Sequence, residues 1–322
     1  MMRRSLLSTP PPSVAVGVTS RHLALASLAD RPGGLQVAAH AVEPLDAGAV
    51  TPALTGTNIA DRGALAARLS RLLVSAGRGA RRVALVLPDA VAKVSLVRLE
   101  KVPPRNRDLE ELIRFHVRKA APFHIDGAQV SFVPGVALPG GGREFVVAVA
   151  QRDVIDQYEQ VCQRAGVHAG LVDLATFSLA NLVEADTGPP SGDWLLVQMG
   201  GDCSSLAILR GPDLIFFRSR AGESDDELVD LVHQTAMYYV DRLDGRGFDR
   251  AFVAGPSTAG GGIESVRRRL EERLGVPLSL VDSTRLAPLA DRIDPGAGLT
   301  DTLAPLVGIL VRERRGSRPR GR

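Results

Sequence analysis

Several features are scarce in this 322-residue chain, and each scarcity narrows its function. Only Cys162 and Cys203 are cysteine. Two cannot form a disulfide framework in a chain this long, so a reducing, cytoplasmic setting is expected. Aromatics are 4% of the residues. The core must therefore come from Leu, Val, Ala and Ile, and no interleaved aromatics are present to stack on bases. No apolar run approaches the ~18 residues of a membrane span. The first residues carry Arg3 and Arg4 but reach the prolines at 10–12 without a long apolar stretch, so no secretory leader is expected. Histidines are few: His116 and His124 flank the end of one helical segment with no further His or Cys at zinc spacing, so no metal site is expected.

The charge balance is also informative. The chain carries +3, but residues 312–322 hold six Arg against one Glu. Taking that +5 away leaves a body of −2, with no basic stripe. Nucleic acid is not expected as a partner, and the basicity belongs to a tail.

Residues 1–12, rich in Pro and Ser, read as disordered. Then an order of elements appears twice. In the first instance, strands are expected at 13–18, 23–28 and 35–42. A helix from about 59 to 76, capped by Asn58, and a strand at 82–87 follow. In the second, strands are expected at 194–199, 204–209 and 214–219. A helix at about 224–243, whose Ser224-Asp-Asp-Glu227 reads as a cap and acidic first turn, leads to a strand at 250–254. Two strand-strand-strand-helix-strand halves imply a duplicated α/β architecture. The expected domains are a first half at 13–91, an inserted α+β subdomain at 92–173, a second half at 174–311 and a basic disordered tail at 312–322. The insert would contain strands at 93–99, 129–136, 144–150 and 169–173, with helices at 108–121 and 153–165. A helix at 263–274, a strand near 278–281 and an apolar helix at about 301–311 close the second half.

The insert helix reads Arg107-Asp-Leu-Glu-Glu-Leu-Ile-Arg-Phe-His-Val-Arg-Lys-Ala-Ala-Pro-Phe123, preceded by Leu99-Glu-Lys-Val-Pro103. It is followed by Val146-Val-Ala-Val-Ala-Gln-Arg-Asp-Val154 and Tyr158, then Ala165-Gly166, Val172-Asp173 and Phe177-Ser-Leu-Ala180. In these blocks, and in the duplicated halves, the chain resembles the PilM-type pilus assembly proteins, relatives of FtsA with the actin-like ATPase fold. The resemblance spans roughly residues 13–311. It implies a cytoplasmic scaffold on the inner-membrane face of a type IV pilus or related type II secretion machine. Its membrane contact would be indirect, through the N-terminal peptide of a single-span PilN-like partner received near the insert. Three of the thirteen aromatics, Phe115, Phe123 and Phe132, lie in that insert and are the candidate peptide-binding residues. They are also the residues that a small insert would use for its own core.

The resemblance also implies ATP and magnesium, held between the turns of two opening hairpins. The candidate nucleotide residues are Gly17, Thr19 and Ser20 in the first hairpin and Gly200, Gly201, Asp202 and Ser204 in the second. On the nucleoside side they are Gly255, Gly260, Gly261 and Gly262. Small residues there would let backbone N–H groups approach phosphate oxygens. Each opening strand of this fold normally carries an Asp for magnesium or the attacking water. Here Gly17 and Gln198 stand at those positions, and the first turn holds Arg21 and His22 in place of small residues. A degenerate ATPase, with weak or no hydrolysis, is the expectation. An active ATP-hydrolysing enzyme of the same superfamily is the alternative.

Overall fold

The computed structural model describes residue 12 onward except residues 33, 76–79, 189–190, 202, 223, 257–261, 291–297 and 317–322; of residues 75 and 313–316 it describes only the backbone. The expected disorder of residues 1–12 falls almost wholly outside the described residues. So do Asp202, Gly260, Gly261 and the end of the basic tail.

The chain opens with strands β1 (Val14–Val18), β2 (His22–Arg31) and β3 (Gly34–Pro44), helix α1 (Arg62–Ser75) and strand β4 (Arg82–Leu87). Next come β5 (Lys93–Leu99), α2 (Asn106–Val117), β6 (Ala128–Ala137) and β7 (Arg143–Gln151). Helix α3 (Arg152–Arg164), β8 (His168–Leu174) and α4 (Ala175–Thr187) lead into the second half. That half has β9 (Asp193–Met199), β10 (Cys203–Arg210), β11 (Asp213–Ala221), α5 (Asp225–Arg242), β12 (Arg250–Ala254), α6 (Gly262–Leu274), β13 (Leu278–Leu280) and α7 (Leu299–Gly316).

The duplication is plain in the sheets. The first has the order β3-β2-β1-β4-β8 and the second β11-β10-β9-β12-β13. In both, the opening strand pairs antiparallel with its hairpin partner and parallel with the strand after the helix. Interior strands are buried along most of their length: all five residues of β1, and seven of the eight in β10. That burial explains why they read as continuous apolar runs instead of alternating patterns.

A third sheet, β5-β7-β6, is covered by α2, whose Leu109, Ile113 and Val117 pack with Val97, Phe145, Val147 and Val149. The largest core joins the first sheet to α4 and α7 and continues into Trp194, Leu196 and Ala207 of the second. At its centre α4 and α7 lie so close that a Cβ on Gly308 would overlap the carbonyl oxygen of Ser178.

Four expectations are corrected. Helix α1 starts at Arg62, and its cap is Asp61, whose Oδ1 accepts from Gly63 N (2.8 Å) and Ala64 N (2.9 Å). Asn58 is instead buried in the preceding loop, where its Oδ1 accepts from Ala53 N and the Tyr158 hydroxyl. Strand β8, assigned to the insert, runs parallel to β4 as the fifth strand of the first sheet. Pairing across more than 80 residues leaves no local sequence signal. Finally, α7 extends to Gly316, taking in the start of the basic tail, and α4 is a helix for which the sequence reading sets no expectation.

Candidate functional site

Two concavities are lined in part by α4, one by Ala175 and Leu179 and the other by Phe177, Ala180, Asn181 and Glu184. The first is the cleft between the hairpin turns. Gly17, Thr19, Arg21 and His22 of the first hairpin line it with Gln198, Met199, Gly200, Gly201 and Cys203 of the second. Gly255 lies at the end of β12, and Asp301, Thr302, Pro305 and Leu306 of α7 close it. Ser20 faces an outer hollow beside Gly201, Ser204 is buried inside β10, and Gly262 begins α6. The topology thus brings together most of the described residues expected to hold a nucleotide.

Their chemistry is committed elsewhere. Gly17 makes room for α7: a Cβ there would sit 3.0 Å from Leu306 Cδ2. The Thr19 hydroxyl accepts from Arg21 N (3.2 Å) and His22 N (3.1 Å), tying the first turn to itself. Arg21 crosses to the second turn, where its Nε would lie 2.6 Å from a Cβ on Gly201. Gly255 packs on Met199 so closely that a Cβ would be 2.6 Å from the Met199 Cβ. The space that remains is about 170 Å³, below the ~300–1,000 Å³ of ordinary small-molecule sites. The contribution of α7 was missed by sequence reading, because Pro305 and Leu306 lie some 290 residues from the turn that they cover.

Beneath the cleft lies a polar group that sequence reading also missed. Asp89, in the short 3₁₀ turn after β4, is 1% exposed. Thr176 N donates to its Oδ1 (3.3 Å), and Thr176 Oγ1 lies 2.5 Å from its Oδ2. The same Oγ1 contacts Gln198 Oε1. One hydroxyl proton cannot serve two acceptors. The count closes with a protonated Asp89 that donates to Thr176, which donates to Gln198, or with the Gln198 amide turned so that its N–H donates to the Thr176 hydroxyl. Burial pushes the Asp89 carboxyl up from its ordinary range, only partly opposed by the Thr176 and Ser205 hydroxyls. Gln198, at the position of an expected acid, is thus a neutral link between the two halves. Cys203 next to it is buried, and burial pushes its thiol up to about 11, leaving little thiolate for nucleophilic work.

The second concavity is a groove of about 410 Å³. Its walls are the β6 edge at Phe132–Gly135, Leu171–Asp173 of β8, Phe177 and Ala180–Asn181 of α4, and Pro212–Leu214 of the β10–β11 turn. Arg312 of α7 reaches it and pairs with Asp173 at 2.5 Å. Of the three candidate aromatics, Phe132 lines the groove, its ring edge-on to Phe145. Phe123 packs at the margin of the small sheet's own core. Phe115 is 71% exposed on α2 and meets His116 instead. Phe177 was missed as a lining residue, since nothing local marks an α4 aromatic as facing the insert.

Among the described residues no group of three or more His, Cys, Asp or Glu is arranged to hold a metal, and no helix is long and apolar enough to cross a membrane.

No curated protein matches the chain. Among solved structures, the PilM-PilN type IV pilus biogenesis complex superposes with a TM-score of 0.79 at 19% identity, covering 97% of this chain and 100% of that one. A Bacteroides thetaiotaomicron protein with an actin-like ATPase fold and unknown function gives 0.51 at 10% identity, covering 91% and 94%. The ethanolamine utilization protein EutJ from Carboxydothermus hydrogenoformans gives 0.50 at 11%, covering 94% and 90%. These likenesses establish the actin-like ATPase fold that the duplicated hairpins implied. The family model for the type IV pilus assembly protein PilM matches residues 15–225, about two thirds of the sequence, and the chain belongs to that family.

Proposed function

We propose that this chain is a scaffold of a type IV pilus inner-membrane platform, holding the N-terminal peptide of a PilN-like membrane protein in the groove beside the inserted sheet. It would act at the cytoplasmic face and reach the membrane through that partner. The observation that carries the reading is the groove itself. It is apolar at Phe132, Phe177 and Ala180, open along the β6 edge and large enough for several side chains. Family membership and the likeness to a PilM-PilN complex support it. The test is capture of the chain by an immobilised N-terminal peptide of the PilN-like protein. Ala180→Trp, which fills the groove, and Phe132→Ala, which strips an anchor, should each weaken capture by roughly tenfold or more, at about 1.4 kcal/mol per decade. Undiminished capture by both variants, with melting temperatures near that of the wild type, would reject the groove.

In this reading the hairpin cleft is structural and does not turn over ATP. The residues present do not suit a magnesium nucleotide: Gly17 backs onto Leu306, Gln198 is bonded to Thr176 and the Thr19 hydroxyl serves its own turn. Magnesium-dependent ATP hydrolysis by the purified chain would instead favour the active-enzyme alternative.

A further inference from the structure

The groove has an asymmetric rim. Among the described residues Asp173, Glu184 and Asp213 line it, and the lining cation is Arg312, which pairs with Asp173. Asp213 also faces Glu144 on β7. Burial pushes the Glu144 carboxyl up from its ordinary range; the Arg98 charge opposes this, and Asp213 adds to it. Acids along the rim of a groove are a place where an incoming cation lowers their energy.

The sequence that follows Arg312 is basic. Helix α7 passes the groove at Arg312, and the next ten residues contain five Arg and one Glu. From the end of α7 at Gly316, six further residues span up to ~20 Å when extended, enough to follow the rim. Tethered to α7, such a segment has an effective concentration near the groove in the ~mM range. We propose that the basic segment 313–322 docks on the acidic rim of this groove and competes there with the partner peptide. The competition rests on the groove being the partner's site; the docking does not.

The probe is a fluorescein-labelled synthetic peptide of residues 313–322. It is titrated by anisotropy onto the full-length wild-type chain and onto a full-length variant with R314S, R315S, R318S, R320S and R322S. The variant should bind the probe roughly tenfold more tightly than the wild type, because its own segment no longer competes. Adding Glu184→Gln and Asp213→Asn to that variant should weaken the probe by a similar factor, and salt should weaken it throughout. Equal affinity for wild type and variant, or indifference to the two rim substitutions, overturns the docking. Binding of the segment to anionic phospholipid vesicles alone would do the same. The partner's N-terminal peptide should then displace the probe. If it binds without displacing it, the competition is wrong while the partner reading stands. If it fails to bind while the probe docks, the partner reading fails and the docking stands.

Discussion

Asp89, Thr176 and Gln198 join three elements that are far apart in the chain: the turn after β4, α4 and β9. Because Asp89 is raised, the folded state holds its proton more tightly than the unfolded chain does. Its contribution to stability is therefore full below the unfolded value of about 3.9 and declines as pH rises through the folded one. Asp89→Asn mimics the protonated acid and has no proton to lose. Its stability relative to the wild type should rise between pH 4 and 8 in urea titrations; a constant difference would mean that Asp89 is ionised throughout. Gly17 gives a second test. Gly17→Asp restores an acid in name but sets a carboxylate against Leu306. It should cost about 1–3 kcal/mol and give no magnesium-dependent ATP binding in calorimetry. Neither residue announced itself. Asp89 after Pro88 looks like any turn acid, and Gly17 looks like a phosphate-loop glycine until α7 is placed on it.

Helices α4 and α7 form the seam on which both concavities are hung. Gly308 lets them touch, and the obstacle to a side chain there is the Ser178 carbonyl, which is backbone and cannot rotate away. Gly308→Ala should lower unfolding free energy by about 1–3 kcal/mol despite alanine's better helix propensity. Chemical denaturation with an unchanged m-value would check it. The seam was only half legible. Helix α7 shows an apolar period, but α4 is buried on most of its faces, and a segment apolar all round carries no period to read. The capping box of α5 was legible, because its signal is local: Ser224 Oγ accepts from Glu227 N, and Glu227 Oε2 accepts from Ser224 N. Ser224→Ala should cost about 0.5–2 kcal/mol.

On the scale of the whole chain, the duplicated hairpins disclosed the actin-like fold because runs of Val, Leu and Ala repeat in one order at two places. The groove stayed hidden because its walls come from β6, β8, α4, the β10–β11 turn and Arg312, which only the packing of the insert against both halves brings together. Under the proposed function this groove, and not the hairpin cleft, receives the partner peptide. Hydrogen–deuterium exchange of the full chain with and without the PilN-like N-terminal peptide tests that most directly. Protection at residues 128–137 and 168–187, with the turns at 19–22 and 199–203 unchanged, is the predicted result. Protection at those turns, with β6 and α4 unaffected, would contradict it.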